Sequence, residues 1–371
     1  MHSKEAKRLL INDLSRHNGP LLPQIEARLT TVLRSGWYIL GAEVSAFEEA
    51  FAAYCGVSHC VGVGNGTDAL ELALRALRIG PGDEVITVAN AGGYGTTAIR
   101  CTGADPVYVD VHPDSMLMNP TAVADRLTSR TRAIIATHLY GRMADMPGLL
   151  TIATAGHIPV IEDCAQAHGA RLDGKAAGAW GLLGCFSFYP TKNLGALGDG
   201  GAITTSDTGL AERVRALRQY GWTQKYACRA GQGRNSRLDE IQAAILSVKL
   251  PRLEDWNRRR RAVNALYSEL LDGADIRLPL LPGENDAAHL YVIRTPARDR
   301  IRIALGEQGI ATDIHYPIPD HRQECERGRA SSDCVLPLTE ACCQEVVTLP
   351  CFPEIQDEEI ARVANCVRQV I

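Results

Sequence analysis

Two kinds of hydrophobic pattern alternate along the chain between about residue 57 and residue 205. Short apolar runs rich in β-branched residues are typical of strands, and the stretches between them space apolar residues as a helix with one buried face does. Leu70, Ala73 and Leu74 illustrate the helical spacing. The alternation indicates an α/β fold with a mainly parallel sheet. The predicted strands are 60–63, 84–88, 106–109, 133–136, 159–162, 185–188 and 202–204.

The pattern changes after Asn235, where two long helical stretches follow each other at 238–250 and 253–271. Pro251 lies between them and indicates a break, since proline interrupts a helix. Beyond them we predict a strand at 291–295, a helix at 298–308, a strand at 311–315 and a last helix from Asp357. The sequence therefore predicts a large domain over residues 1–250, which includes the N-terminal segment, and a smaller C-terminal α/β domain over 251–371.

Composition excludes some classes of partner but does not indicate a particular activity. The 371 residues are 46% hydrophobic and 22% charged, with a net charge of −4, which is typical of a globular protein. That charge provides no general attraction to nucleic acid or to an anionic membrane, so we predict neither as a partner. The N-terminus carries charges throughout and no stretch reaches the length of a membrane span, which predicts a cytoplasmic protein.

Twelve cysteines are present, but the chain is long and has no cysteine pair with zinc-site spacing. We expect most of them to be reduced, buried and small apolar side chains. No metal site is predicted.

The first stretch that indicates chemistry is SFYPTKNLGALGDGGAI, which begins at Ser187. It joins a strand-like run to Lys192 and then to several glycines, which allow a backbone to approach a ligand closely. A desolvated lysine has a lowered pKa, and its neutral amine can attack a carbonyl to form a Schiff base. An isolated lysine beside a turn is usually a surface residue, so the interpretation depends on the neighbouring motifs.

The second stretch, VIEDCAQAHGA, follows a buried strand with two acids. Asp163 is expected at the crevice edge, because ligands bind at the carboxyl ends of parallel strands. A carboxylate there can keep the ring nitrogen of pyridoxal phosphate protonated, and Gln166 and His168 lie just beyond it. Capping of a turn by Asp163 is the open alternative.

The third stretch, GVGNGTDALELALRAL, reads as a strand, a glycine-rich turn and a helix. Free N–H groups at a helix N-terminus suit a phosphate, so Gly66 and Thr67 are candidate ligands. Asn65 or Thr67 capping the helix is the alternative. A dinucleotide fingerprint is disfavoured because Thr67 occupies the position of its last glycine.

Together the three stretches resemble the DegT/StrS-type sugar aminotransferases, which have the aspartate-aminotransferase-like fold of pyridoxal-phosphate enzymes (fold type I). The resemblance covers nearly the whole chain. Further matching segments, in family order, are VITVANAGGYGTTAI, THLYGRMADM, NSRLDEIQAAIL and IHYPIPDH. The sequence departs from many relatives at Gly92-Gly93-Tyr94-Gly95-Thr96, where they have an aromatic residue, Val, Ala and Thr.

The resemblance implies pyridoxal 5'-phosphate as cofactor, Lys192 as the Schiff-base lysine and Asp163 as the partner of the ring nitrogen. Its other implied cofactor contacts are Gln166 at a ring oxygen, Ser187, Gly66 and Thr67 at the phosphate, Tyr94 against the ring, and Asn235 at the phosphate of the neighbouring subunit. The resemblance at Asn235 thus implies a homodimer with shared sites, and the open alternative is that Asn235 only caps a helix starting near Ser236. His315 and Tyr316 fall in a segment near the substrate, and His168 is a further candidate for a substrate contact.

The expected activity is transfer of an amino group from glutamate or glutamine to a nucleotide-linked keto-6-deoxy sugar, at C3 rather than C4. Open alternatives are a cyclitol ketone as acceptor, a dehydratase of the same fold, and a non-catalytic regulatory homologue. The dehydratases replace the lysine with histidine, and a regulatory homologue is expected to lose the lysine or the aspartate. Lys192 argues against a dehydratase, and the presence of both Lys192 and Asp163 argues against a regulatory homologue.

Overall fold

A computed structural model describes residues 8–231 and 233–371 of the protein, and a central sheet organises them. The strands up to residue 205 are β1 His59–Val63, β2 Glu84–Val88, β3 Asp105–Val109, β4 Thr131–Thr137, β5 Val160–Asp163, the short β6 Arg171–Leu172 and β7 Lys175–Ala176, β8 Leu183–Ser187 and β9 Gly201–Thr205. Seven of them form one sheet in the order β1-β9-β8-β5-β4-β2-β3. Strand β9 pairs antiparallel with β1 and β8, and the remaining pairs are parallel.

Helices cover both faces of this sheet. They are α1 Leu14–Asn18, α2 Leu22–Ser35, α3 Ala42–Cys55, α4 Gly66–Ala76, α5 Tyr94–Thr102, α6 Pro120–Ala124, α7 Met146–Ala155, α8 Thr208–Leu217 and α9 Glu240–Lys249. Consecutive residues of β2 face opposite cores: Val85 packs with α4, whereas Ile86 packs with the aromatic side chains of Phe47 and Phe51. Because both faces of the sheet are covered, β2 is buried along its whole length, as parallel strands usually are. All seven predicted strands are confirmed within two residues at their ends.

The C-terminal part has its own core. After the hairpin of β10 Trp222–Gln224 and β11 Ala227–Cys228, its elements are α10 Leu253–Leu271, β12 Tyr291–Arg294, α11 Arg298–Glu307, α12 Pro337–Glu345, β13 Val346–Leu349 and α13 Asp357–Val370. Strands β12 and β13 pair antiparallel, and stacked Tyr267 and Tyr291 lie in the core beside them. Leu9 from the N-terminus packs into the same core, although the predicted division at residue 250 leaves it with the large domain. That division stays a prediction.

One predicted element is wrong. Residues 311–315 form no strand, and a single bridge joins Asp313 to Thr348 of β13. The segment turns towards the large domain instead of continuing along β13, and its His315 and Tyr316 line the cavity described below. The predicted break at Pro251 is confirmed as a short 3-10 turn, Leu250–Arg252, between α9 and α10.

The remaining composition-based expectations concern cysteines and membrane spans. All twelve cysteines are free thiols, and most are buried. Within the described residues, none of the helices combines the length and the apolar character that crossing a bilayer requires.

Candidate active site

A cavity of about 860 Å³ opens where the carboxyl ends of the central strands meet the C-terminal part. Nine of the candidate site residues line it, namely Gly66, Thr67, Tyr94, Asp163, Gln166, Ser187, Lys192, His315 and Tyr316. These residues are far apart along the chain, and they meet because parallel strands end at one edge of the sheet.

Lys192 lies in the turn that follows β8, where its backbone N–H donates to the carbonyl of Tyr189 at 2.8 Å. Burial lowers the pKa of Lys192 to about 8, although the nearby carboxylate of Asp163 opposes this effect. An amine with this pKa is partly neutral at physiological pH and available as a nucleophile.

Asp163 ends β5 and is buried, and its Oδ1 accepts a hydrogen bond from the Ala165 N–H at 3.1 Å. Burial raises the pKa of Asp163, while the Ala165 N–H, the positive charge of Lys192 and His138 oppose the rise. A protonated ring nitrogen would supply a charged partner for this carboxylate. The arrangement fits the role that the sequence assigns to Asp163.

Behind Asp163, three fully buried side chains bring potential metal ligands together: His138, Glu162 and Cys164. The His138 Nδ1 accepts from the Ala144 N–H, so its Nε2 carries the proton and donates to Glu162 at 2.9 Å. Glu162 also accepts hydrogen bonds from the backbone N–H groups of Gly178, Trp180 and Gly181. These bonds use the lone pairs that a metal would need. They make the cluster a rigid support for the end of β5.

The turn before α4 forms a cradle in another part of the cavity wall. Asn65 caps the helix by accepting from the Asp68 N–H at 2.8 Å, as the structural alternative for this turn predicted. Gly66 lies so close to Ser187 that an added Cβ would stand 2.7 Å from the Ser187 Cβ. Asp68, the third residue of α4, pairs with Arg234. A helix N-terminus beside a serine hydroxyl is a suitable phosphate site.

Aromatic side chains form the third wall. The rings of Tyr94 and Tyr316 meet edge to face with centroids 6.3 Å apart, and about half of Tyr94 is exposed. Gly92 leaves room for Tyr316, because a Cβ there would stand 2.8 Å from the Tyr316 ring. Gln166 donates to the Tyr316 hydroxyl at 3.2 Å and accepts from the Tyr140 N–H at 2.6 Å. Gly92, which departs from the family pattern, thus leaves the space that the Tyr316 ring occupies.

His315 lies at the edge of this wall, where its Nδ1 hydrogen-bonds the Thr348 hydroxyl at 2.8 Å. Burial lowers the pKa of His315; Asp313 opposes this effect and the charge of Lys192 adds to it.

Two candidates lie outside the cavity. His168 is fully buried behind it, between the rings of Phe186 and Phe188, and burial lowers its pKa to about 3. The chain turns inward after β5, and Asn257 donates to the His168 carbonyl, so we assign His168 a packing role and omit it from the proposed site. Asn235 is exposed, with its backbone paired to Gln219. Its predicted contact to a neighbouring subunit stays a prediction.

The sequence did not identify two further parts of the cavity wall. Leu10, Ile11 and Asn12 of the N-terminal segment line it, and the Asn12 side-chain amide donates to the Thr191 carbonyl at 3.1 Å. His289 also lines it, with Nδ1 2.9 Å from the Asn193 Oδ1. Neither lies in a local motif, because long-range packing alone brings them to the site.

The side chains present fit pyridoxal phosphate. A lysine of lowered pKa is available to the aldehyde, a buried carboxylate to the ring nitrogen, and a glycine-serine cradle at a helix N-terminus to the phosphate.

Comparison with known proteins gives the same answer. The DegT/DnrJ/EryC1/StrS aminotransferase family matches residues 22–368. The chain is 44% identical over 367 residues to the dTDP-3-amino-3,4,6-trideoxy-alpha-D-glucose transaminase of Streptomyces venezuelae, covering 98% of this chain and 97% of that one. It is 46% identical over 358 residues to the dTDP-3-amino-3,6-dideoxy-alpha-D-galactopyranose transaminase of Aneurinibacillus thermoaerophilus, covering 96% and 98%.

Among solved structures, the fold matches S. venezuelae DesV in complex with a ketimine intermediate. The TM-score is 0.95, the sequence identity is 44%, and the match covers 98% of each chain. The chain therefore belongs to the DegT/DnrJ/EryC1/StrS aminotransferase family and is a pyridoxal-phosphate-dependent aminotransferase.

Proposed function

We propose that this aminotransferase moves an amino group from glutamate or glutamine to C3 of a nucleotide-linked keto-6-deoxy sugar. One observation carries the aminotransferase chemistry: Lys192, with its lowered pKa, shares one cavity with Asp163 and with the glycine-serine cradle. The names of the two similar transaminases, both of nucleotide-linked 3-amino sugars, support the choice of acceptor and of C3.

Each side chain has a distinct task in this proposal. Pyridoxal phosphate, when bound, accepts electrons from the substrate carbon that bears nitrogen. Lys192 holds the cofactor and then moves a proton at its Nζ in both half-reactions. Asp163 keeps the ring nitrogen protonated. Gly66, Thr67 and Ser187 hold the phosphate, while Tyr94 and Gln166 orient the ring.

The substrate side of the cavity is formed by His315, Tyr316 and the N-terminal segment. Asn12 and His289 present hydrogen-bonding groups there, which suits a hydroxylated acceptor. A cyclitol ketone offers similar hydroxyl groups and is the second acceptor class to be tested.

We also propose a cytoplasmic homodimer in which Asn235 completes the phosphate site of the neighbouring subunit. The β10–β11 hairpin just before Asn235 exposes an aromatic group in which Trp222 contacts Tyr220 and Tyr226, with ring centroids 5.0 and 5.2 Å apart. Tyr226 is 76% exposed, and exposed aromatic clusters are frequent in protein interfaces. The hairpin is therefore a candidate dimer contact.

An acceptor panel tests the proposed function. The purified enzyme is supplied with glutamate or glutamine and with 3-keto and 4-keto nucleotide sugars or cyclitol ketones, and products are identified by mass spectrometry. We expect a 3-amino sugar nucleotide as the main product, and none from a Lys192→Ala variant that remains folded. A main product aminated at C4 or on a cyclitol would contradict the acceptor, and full turnover by Lys192→Ala would contradict the role of the lysine.

A further inference from the structure

A buried carboxylate outside the cavity has no role in the function proposed above. Asp320 is 1% exposed, and its Oδ1 has no hydrogen-bond partner among the described residues. Burial raises the pKa of Asp320 to about 6, although the Thr96 hydroxyl and the Gly93 backbone N–H favour its charged form. Burial of an incompletely paired charge costs stability. Such a residue is a candidate for a functional role, because active sites are where proteins accept this kind of cost.

The other Asp320 oxygen connects two elements of the large domain. Its Oδ2 accepts a hydrogen bond from the Thr96 Oγ1 at 2.6 Å. Because the Thr96 hydroxyl spends its hydrogen on this bond, it accepts from the Tyr108 hydroxyl, which is 3.0 Å away. The result is a buried chain of hydrogen bonds from Tyr108 of β3, through Thr96 of α5, to the carboxylate.

The backbone of Asp320 makes a second contact, at the start of the loop that leads from β2 to Thr96. Its backbone N–H donates to the Ala89 carbonyl at 2.7 Å, just after β2. Ala89 and Thr96 delimit the loop that contains Gly92 and carries Tyr94 at the start of α5. A single residue therefore fixes both ends of the loop that forms the aromatic wall of the cavity.

The loop and the segment that contains Asp320 meet a second time inside the cavity. Tyr316, four positions before Asp320 in the sequence, packs its ring against Gly92 and meets the Tyr94 ring edge to face. The loop and this segment are therefore joined at two places, and displacement of Asp320 would shift Tyr94 and Tyr316 within the cavity.

We propose that Asp320 is a positioning residue of the active site, which fastens the loop of residues 89–96 to the segment of residues 315–320 and so holds Tyr94 against the cofactor and Tyr316 at the substrate side of the cavity. The inference rests on the assignment of these two tyrosines to the site under the proposed function. Asp320 does not line the cavity and acts through the loop.

Glu326 and His321, the nearest charged or titratable groups along the chain, pair with other residues. Glu326 raises the Asp320 pKa but pairs with Arg100 of α5 at 2.7 Å. His321 directs its Nε2 to Glu340 of α12 at 2.9 Å. The Tyr108 hydroxyl donates to Thr96, and the Cys343 thiol of α12 has a pKa raised mainly by burial. Among the described residues, no lysine or arginine pairs with Asp320, so its charge depends on the Thr96 and Gly93 contacts.

The pH dependence follows from the raised pKa. Between the ordinary value of 3.8 and about 6, the folded state holds a proton that the unfolded state has lost, so stability falls as pH rises through this window. Above about pH 6 the carboxylate is charged, accepts most strongly from Thr96, and imposes its full cost on stability. As pH rises through this window, we therefore expect the hydrogen bond that holds the loop to strengthen and the free energy of unfolding to fall.

The test uses the Asp320→Asn and Thr96→Val variants of the full-length, cofactor-loaded enzyme. The donor half-reaction is followed by the absorbance change as glutamate converts the cofactor to its aminated form. We expect its rate at pH 8 to fall about tenfold in each variant, since small displacements at an active site are costly, with no further fall in the double variant. The thermal midpoint of Asp320→Asn at pH 8 should stay equal or rise. Its rate profile should lack the decline below about pH 6 that we expect of the wild type when Asp320 is protonated.

Thr102→Val is the matched control, because Thr102 is also buried in α5 but donates to the Ile99 carbonyl. Its rate should equal that of the wild type. A rate for Asp320→Asn within twofold of the wild type would overturn the proposal, as would a fall of rate and thermal midpoint together. The half-reaction needs no acceptor, so a wrong sugar assignment leaves this test intact.

Discussion

At the scale of single residues, one buried environment shifts the pKa values of Lys192 and Asp163 in opposite directions. Burial lowers the pKa of Lys192 to about 8 and raises the pKa of Asp163, while each charge moderates the shift of the other. The pair leaves the lysine partly neutral near physiological pH and keeps a carboxylate ready for a protonated ring.

The lowered pKa of Lys192 predicts how the rate of cofactor attachment depends on pH. The rate at which the cofactor-free enzyme attaches pyridoxal phosphate should rise with pH and level off above about pH 8, as the Lys192 amine loses its proton. Asp163→Asn should move the midpoint to lower pH, because the carboxylate favours the protonated amine. Stopped-flow absorbance of the attached cofactor measures both profiles. A midpoint near the ordinary lysine value of 10.5, or one that Asp163→Asn leaves in place, would contradict this account.

Sequence predicts a site residue when that residue lies in a short motif. It fails when only packing between distant segments of the chain brings the residue to the site. Lys192, Asp163 and Gly66 stand in motifs whose chemistry is visible in one stretch. His168 stands in the same motif as Asp163, yet the turn after β5 directs its ring into the core. His289 has no motif of its own, and only its contact with Asn193 ties it to the lysine turn.

At the scale of elements, the start of α4 and the end of β8 approach so closely that only glycine fits between them. Gly66→Ala should weaken binding of pyridoxal phosphate about tenfold or more, because the new Cβ would stand 2.7 Å from the Ser187 Cβ and force the cradle open. Equilibrium titration of the cofactor-free protein measures the affinity, and thermal unfolding checks the fold.

The control for this change is Gly306→Ala in α11, where an added Cβ meets nothing within 4 Å. Its cofactor affinity should equal that of the wild type. An unchanged affinity in Gly66→Ala would refute the cradle as the phosphate site.

Elements with a regular period were predicted closely, whereas those defined by contacts were not. The helix predicted at 253–271 has these limits in the structure, since its amphipathic pattern is long. The strand predicted at 311–315 is absent, because a short segment forms a strand only where a partner strand continues beside it. Only Asp313 finds such a partner, in Thr348.

At the scale of the whole molecule, the proposed dimer makes each active site the product of two chains. Lys192→Ala and Asn235→Ala subunits should each be impaired alone and regain activity when mixed under exchange conditions. A mixed dimer then contains one site with both defects and one intact site. Activity after mixing, with mixed dimers verified by mass spectrometry of differently tagged subunits, measures the effect.

Each variant taken alone through the same exchange procedure is the control and should stay impaired. Verified mixed dimers without recovered activity would reject the shared site. Sedimentation offers an independent check, because removal of a cofactor held by both chains should weaken their association.

The reversed strand β9 has a consequence for how the protein is made. It lies between β1, which leads into the cradle turn, and β8, which ends at Ser187, so residues near 60, 187 and 201 must come together before the cradle exists. The N-terminal wall closes later still, when Leu9 bridges Ile310. Chains emerge from the ribosome from the N-terminus at about 5–20 residues per second. The complete binding site, which needs residues up to about 310, can thus be assembled only after most of the protein has been synthesised.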